Sequence, residues 1–280
     1  MATKTQRLRC GKSEFVWGSR TYIMGILNAT PDSFSGDGLA GDVQGAVERA
    51  KRMEAEGADI IDIGGESTRP GHALVEIQEE LRRVIPVVEA VAATVTVPIS
   101  IDTMKSDVAA AALRAGATMV NDVWGLTRDS RMAHVAAHAG AAVVVMHNQE
   151  GTRYQDLLGE IAAGLRKSIQ IAVLAGIAEE RIILDPGIGF GKTAEQNLEV
   201  LRQLEALQSL ECPLLVGTSR KSTIGLVLGL PVEERLEGTA ATVALAIAKG
   251  ADIVRVHDVK EMTRVARMSD AIVRGWRAPA

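Results

Sequence analysis

The feature that most constrains this fold is a cycle that runs through the chain eight times. An apolar strand ends in a polar residue, a loop follows, and an alanine- and leucine-rich helical stretch leads to the next strand. The strands read as Tyr22 to Asn28, Ile60 to Gly65, Pro98 to Thr103, Met119 to Val123, Ala142 to His147, Ile182 to Asp185, Leu214 to Thr218 and Ile253 to His257. Helical patterns lie at Val43 to Glu56, Val75 to Ala93, Ser106 to Ala115, Arg131 to Ala139, Gln155 to Ala175, Ala194 to Gln208, Thr239 to Lys249 and Lys260 to Arg274. Several helices run into a glycine, at Gly57, Gly116, Gly140, Gly176 and Gly250, the residue that ends a helix in the left-handed conformation. Strands with Ile and Val on consecutive positions are buried on both faces, as parallel strands covered by helices must be. Eight such units predict a closed (β/α)8 TIM barrel. A doubly wound open sheet usually has fewer strands and a glycine fingerprint after the first, where this chain has Asn28-Ala29-Thr30-Pro31.

Before the first unit, the alternating piece Phe15-Val16-Trp17-Gly18 suits a short N-terminal hairpin that plugs one end of the barrel. The whole chain, 1–280, is then one domain with its barrel core at about 22–275. With 47% hydrophobic and 24% charged residues it can bury a large core. A net charge of −4 without a dense Lys/Arg tract argues against a nucleic-acid partner. No run of about 18 apolar residues suggests a membrane span. Cys10 and Cys212 are far apart and lack metal spacing, which suits a reducing cytoplasm.

Active sites of this barrel gather at the carboxyl ends of the strands. Here those ends carry Asn28, Asp62, Asp102, Asn121 with Asp122, His147, Asp185, Ser219 with Arg220 and Lys221, and Arg255 with His257. Any one of them could simply cap a helix or close a turn; eight together, of mixed charge, point to a pocket. Asp62, Asp102, Asn121 and Asp185 can read the N–H donors of a flat heterocycle, with Lys221 facing its carbonyl or nitrogen. Arg255 and His257 alternate on the last strand and, with Arg69 and Asn28, can hold a phosphate group. The expectation is a pocket with an acidic heterocycle end and a basic phosphate end.

The stretch Ile182 to Lys192, with Asp185-Pro186-Gly187-Ile188-Gly189-Phe190-Gly191-Lys192, reads as a strand feeding a ligand loop. It fits neither common phosphate signature: Pro186 stands where Walker A needs glycine, and the third glycine of G-x-G-x-x-G arrives one residue early.

Together with Gly25-Ile26-Leu27-Asn28-Ala29-Thr30-Pro31-Asp32-Ser33-Phe34, Asp62-Ile63-Gly64-Gly65-Glu66-Ser67-Thr68-Arg69-Pro70-Gly71, Ser219-Arg220-Lys221-Ser222 and Arg255-Val256-His257, that stretch resembles the signature segments of the dihydropteroate synthase family. The likeness runs from about Tyr22 to the last helix. It implies a folate-pathway transferase, a sulfonamide target, that joins 6-hydroxymethyl-7,8-dihydropterin pyrophosphate to p-aminobenzoate and releases pyrophosphate. It implies a pterin site of Asp62, Asp102, Asn121, Met146, Asp185 and Lys221. Asn28, Arg69, Arg255 and His257 would hold pyrophosphate, with Mg2+ bridging its oxygens to Asn28. Thr68, Pro70, Phe190, Lys221 and Ser222 would surround p-aminobenzoate, and Asp102, Asp185, Lys221, Arg255 and His257 would carry the chemistry. It further implies a homodimer formed through late helices, and two closing loops at about 29–40 and 66–74. Ala29 and the order Ser35-Gly36-Asp37-Gly38 depart from the family pattern in the first of these loops, and Asn148-Gln149-Glu150 vary at the rim.

No spacing ties Ser33, Ser35, Ser67 or Ser219 to His147 or His257, so a serine nucleophile is not expected. His134 and His138 stand four apart but lack an acidic partner and read as surface residues. Trp124 reads equally as pocket wall or core. The rivals are a pterin-dependent methyltransferase domain and a non-catalytic pterin-binding protein; the basic residues Arg69, Arg255 and His257 argue against the second.

Overall fold

The computed structural model describes residues 7–29, 43–66 and 75–276. A hairpin opens the chain, β1 (Arg7–Cys10) pairing antiparallel with β2 (Ser13–Val16). Eight parallel strands follow: β3 (Tyr22–Asn28), β4 (Ile60–Gly64), β5 (Ile99–Asp102), β6 (Met119–Asp122), β7 (Ala142–Met146), β8 (Ile182–Asp185), β9 (Leu215–Val216) and β10 (Ile253–Val256). Their order, β8-β7-β6-β5-β4-β3-β10-β9, is sequential around a ring. The ring closes where Leu184 bridges Leu214 and its N–H donates to the Pro213 carbonyl at 2.9 Å. This is the eightfold barrel that the repeat predicts.

Outside it stand α1 (Val43–Glu56), α2 (Ile77–Ala92), α3 (Ser106–Arg114), α4 (Met132–His138), α5 (Leu157–Leu174), α6 (Ala194–Arg202), α7 (Ser222–Leu228), α8 (Leu236–Ala248) and α9 (Val259–Val273). All five joint glycines have positive φ, between 61° and 116°. At Gly57 a side chain would also meet Thr263, only 2.8 Å away. Three local readings change. The pattern from Ala194 to Gln208 is a helix only to Arg202; Gln203 leaves helical geometry and a 3-10 turn covers Leu204–Leu210. β9 shrinks to two residues between Pro213, which has no N–H to give the ladder, and the turn at Thr218–Lys221. Helix α7 was hidden by Thr, Ile, Gly and Val, all weak helix formers.

Strand side chains alternate between two cores. The outward set, such as Ile61, Ile101, Val143, Leu184 and Val254, packs under the helices. The inward set at the amino ends, Met24, Ile60, Met119, Val144, Ile183, Leu215 and Ile253, packs with Leu8, Cys10 and Phe15. The hairpin therefore does plug the amino-terminal mouth, and truncating Ile183 in that floor should cost about 2–5 kcal/mol.

Candidate active site

One step of alternation above this floor the inner face turns polar. Two residues after Ile60, Met119, Val144, Ile183 and Ile253 come Asp62, Asn121, Met146, Asp185 and Arg255, and β5 adds Ser100 and Asp102. Asp62, Asp102, Asn121, Met146 and Asp185 are all buried. The apolar floor keeps water from below, so these charges face one opening.

Arg255 spans the ring. Its Nε donates to Asp62 Oδ2 at 2.6 Å and its Nη2 to Asp102 Oδ2 at 2.7 Å, while Asn121 Nδ2 donates to Asp62 Oδ2 at 3.1 Å. The expected division into an acidic end and a basic end is thus not clean. Arg255 sits among the acidic residues, because its long side chain reaches inward from β10 to the carboxylates of β4 and β5. One cation serves two carboxylates, and Asp62 Oδ1, Asp102 Oδ1 and Ser100 Oγ are buried with no hydrogen-bond partner. Such orphaned acceptors are costly and await a donor. Burial pushes the Asp102 carboxyl up to about 7, against the pull of Arg255, and Asp62, Glu80 and Asp122 push the same way. Burial also raises Asp185, which Lys221, the Gly187 N–H and Arg255 oppose.

After Asp185 the chain turns back sharply. Asp185 Oδ1 accepts from the Gly187 N–H at 2.7 Å, and the Phe190 N–H donates to the Gly187 carbonyl at 3.1 Å, closing a four-residue turn. Gly187 has φ +73°, and a side chain there would meet the His147 carbonyl at 2.0 Å. The turn lifts the half-buried Phe190 ring beside Lys221, whose Nζ lies 4.7 Å from the ring centroid and donates to the Ile188 carbonyl.

Comparison with known proteins agrees with this geometry. Residues 24–257 match the family model described as pterin binding enzyme. The dihydropteroate synthase of Clostridium beijerinckii is 53% identical over 268 residues, covering 95% of this chain and all of the relative. A crystal structure of the dihydropteroate synthase of Clostridium difficile in the presence of pteroic acid superposes with TM-score 0.89 at 54% identity, over 95% of this chain and 99% of that one. The Xanthomonas albilineans enzyme with 4-aminobenzoic acid gives 0.91 at 41% identity, over 96% and 98%. The chain belongs to the dihydropteroate synthase family.

Of the residues that the dihydropteroate synthase likeness singles out, the barrel brings together Asp62, Asp102, Asn121, Met146, Asp185, Lys221 and Arg255. Asn28 stands half-buried at the end of β3, and Ser222 is exposed at the start of α7. Thr68, Arg69 and Pro70 lie outside the described residues, as do most of the two loops expected to close. Among the described residues no group of three or more His, Cys, Asp or Glu could share a metal. His134 and His138 are exposed, and Trp124 is half-buried with the Arg128 guanidinium 4.9 Å over its ring.

Two strand-end residues point elsewhere. Asp122 faces outward, and its carboxylate accepts the Trp124 and Leu126 N–H groups at 2.9 and 2.8 Å; it shapes a turn. Arg220, at φ 57°, pairs with Asp258. Conversely, Ser219 and His257, which no spacing connected, meet: His257 Nδ1 is 3.0 Å from Ser219 Oγ, which also accepts the His257 N–H at 3.1 Å. The Ser219 hydroxyl is engaged in orienting the imidazole. Sequence reading placed Lys192 in the ligand loop without a role, and it missed Lys105, which donates to both Glu66 and the fully buried Glu80.

Proposed function

We infer that the chain catalyses the dihydropteroate synthase reaction, joining 6-hydroxymethyl-7,8-dihydropterin pyrophosphate to p-aminobenzoate to give 7,8-dihydropteroate and pyrophosphate. The observation that carries this reading is the pair of buried, unpartnered oxygens on Asp62 and Asp102, ringed by Asn121 and Asp185. They are acceptors matched to the N–H edge of an aminopyrimidine ring. Met146 would pack on the ring, and Lys221 would face its carbonyl or nitrogen. Asn28, Arg69 and His257, with Arg255, would bind the pyrophosphate; Ser219 would hold His257 for that task. Phe190, Lys221, Ser222, Thr68 and Pro70 would surround p-aminobenzoate.

The reaction then needs charge stabilisation more than a nucleophile from the protein. The C–O bond to pyrophosphate breaks first, its electron pair leaving with the anion. The methylene cation, spread over the pterin, is captured by the arylamine, which afterwards loses a proton. Asp102 and Asp185 stabilise the positive charge, and Arg255 and His257 the departing anion. The Asn28 amide is a hard oxygen donor, a single neutral one, which fits a Mg2+ ion that arrives on the pyrophosphate better than a resident metal. Such an ion would neutralise the leaving group.

For oligomeric state we propose a homodimer through α7, α8 and α9. Leu226, Val227, Leu245, Met268 and Ile272 are exposed there at 59–72%, large apolar side chains on three neighbouring helices of the kind an interface covers. Light scattering should give twice the 29.7 kDa chain mass. The free thiols Cys10 and Cys212 fit a cytoplasmic setting, and among the described residues no helix is long and apolar enough to cross a membrane.

The test of function is incubation with both substrates and Mg2+. One pyrophosphate should appear per 7,8-dihydropteroate. Pterin binding without pyrophosphate release would favour a methyltransferase domain or a non-catalytic pterin-binding protein.

A further inference from the structure

Lys192 is a buried charge that the reaction scheme leaves without a part. It is 8% exposed, and its Nζ meets three acceptors, the Gly187 carbonyl, the Phe190 carbonyl and His147 Nδ1, each at 3.1 Å. An ammonium has three protons, so the set is matched. The two carbonyls are the first and last of the turn Gly187 to Phe190, so one cation clasps both ends of the segment that carries Phe190. His147 ties the clasp to the end of β7. The other contacts on the turn hold one position each: Asp185 Oδ1 accepts the Gly187 N–H, Lys221 donates to the Ile188 carbonyl and Asn197 Oδ1 accepts the Gly189 N–H at 2.7 Å, while Tyr154 donates to the Gly191 carbonyl just beyond it at 2.9 Å.

We propose that Lys192 is a positioning residue for the p-aminobenzoate site, its ammonium holding the turn so that the Phe190 ring and the Ile188 carbonyl stay against Lys221. This rests on the reading of Phe190 and Lys221 as p-aminobenzoate contacts. The charge is held at a cost: burial pushes Lys192 down to about 7, opposed by Asp185 and reinforced by Lys221. An apolar side chain would fill the same volume without that cost, so the amine is present for what it binds. The clasp also fixes the imidazole. Burial, then the Lys192 charge, hold His147 down to about 4, against a backbone hydrogen bond and Glu160 on α5; the Tyr154 ring also lies beside it, centroids 6.1 Å apart. With Nδ1 accepting, the His147 proton must sit on Nε2.

The experiment compares wild type, Lys192→Met, Lys192→Gln and Phe190→Ala. Lys192→Met should raise the p-aminobenzoate KM about tenfold while kcat falls less and the pterin Kd stays within about threefold. Its His147 should titrate at higher pH than in wild type. Nitrogen NMR of the unaltered protein should find His147 protonated on Nε2. If Phe190→Ala leaves the p-aminobenzoate KM unchanged, the underlying site reading fails. If it raises that KM and neither Lys192 variant does, the proposal alone is overturned. Equal loss of pterin and p-aminobenzoate affinity in the Lys192 variants, or a wild-type His147 protonated on Nδ1, also overturns it; the NMR result decides even if neither variant folds.

Discussion

Replacing Arg255 by methionine keeps much of the side chain's bulk and removes the one cation that bridges Asp62 and Asp102. Both carboxylates would remain buried, with four oxygens and the single Asn121 amide to serve them. Breaking a buried pair from one side costs about 3–5 kcal/mol. At about 2–4 °C per kcal/mol for a chain of this size, the melting temperature should fall by about 6–20 °C. The loss should depend on pH, and its sign follows from Asp102. Its folded pKa is about 7 even with Arg255 present, above the usual carboxylate value, and goes higher without it. A carboxyl raised in the folded state loses stability as pH climbs from its unfolded pKa through its folded one. At pH 5 Asp102 is protonated with or without Arg255, so the deficit shrinks to the share of the lost Asp62 pair; at pH 8 it is largest. Calorimetric melting at both pH values measures this, and adding Asp62→Asn should recover part of the deficit at pH 8. A deficit equal at pH 5 and pH 8, or below 2 °C at pH 8, would mean that Arg255 does not offset the buried Asp102 charge.

Pterin donors favour ionised Asp102, so pterin binding should release a proton below about pH 7 and weaken up to tenfold per unit as pH falls further; calorimetry in buffers of differing ionisation heat checks both. Gly187→Ala puts a side chain at φ +73° and 2.0 Å from a carbonyl oxygen; the φ alone costs about 1–2 kcal/mol, so urea unfolding should register at least that loss. Chelating Mg2+ should weaken pyrophosphate binding in the wild type and change it little in Asn28→Ala, as titration calorimetry can establish.

The barrel was legible because its rule is local: eight runs of Ile and Val, each followed by a helical pattern and often a joint glycine. The acidic ring was legible for the same reason, since Asp62, Asn121 and Asp185 each stand one alternation step beyond a floor residue. The contacts between distant strands were not. Nothing in Arg255-Val256-His257 says that the arginine crosses to Asp62 and Asp102, or that His257 meets Ser219, because those distances depend on strand tilt and side-chain reach. The strand ends alone did not separate Asn121 from Asp122, since neighbouring residues on a strand face opposite ways and the register decides which is the pocket residue and which shapes the turn. Lys192 gave no signal beyond its type; three acceptors converge on it only after the glycines have folded the turn.

In the proposed function the segment Asp185 to Lys192 serves two reactants, its strand end reading the pterin and its turn facing p-aminobenzoate. Titration calorimetry of the pterin substrate analogue, run side by side on Asp185→Asn and Phe190→Ala, tests it most directly. Asp185→Asn should weaken pterin binding at least tenfold, the worth of one charge-assisted hydrogen bond at about 1.5–3 kcal/mol, and Phe190→Ala should leave it within twofold. Equal losses in the two variants, or full pterin affinity in Asp185→Asn, would contradict the account.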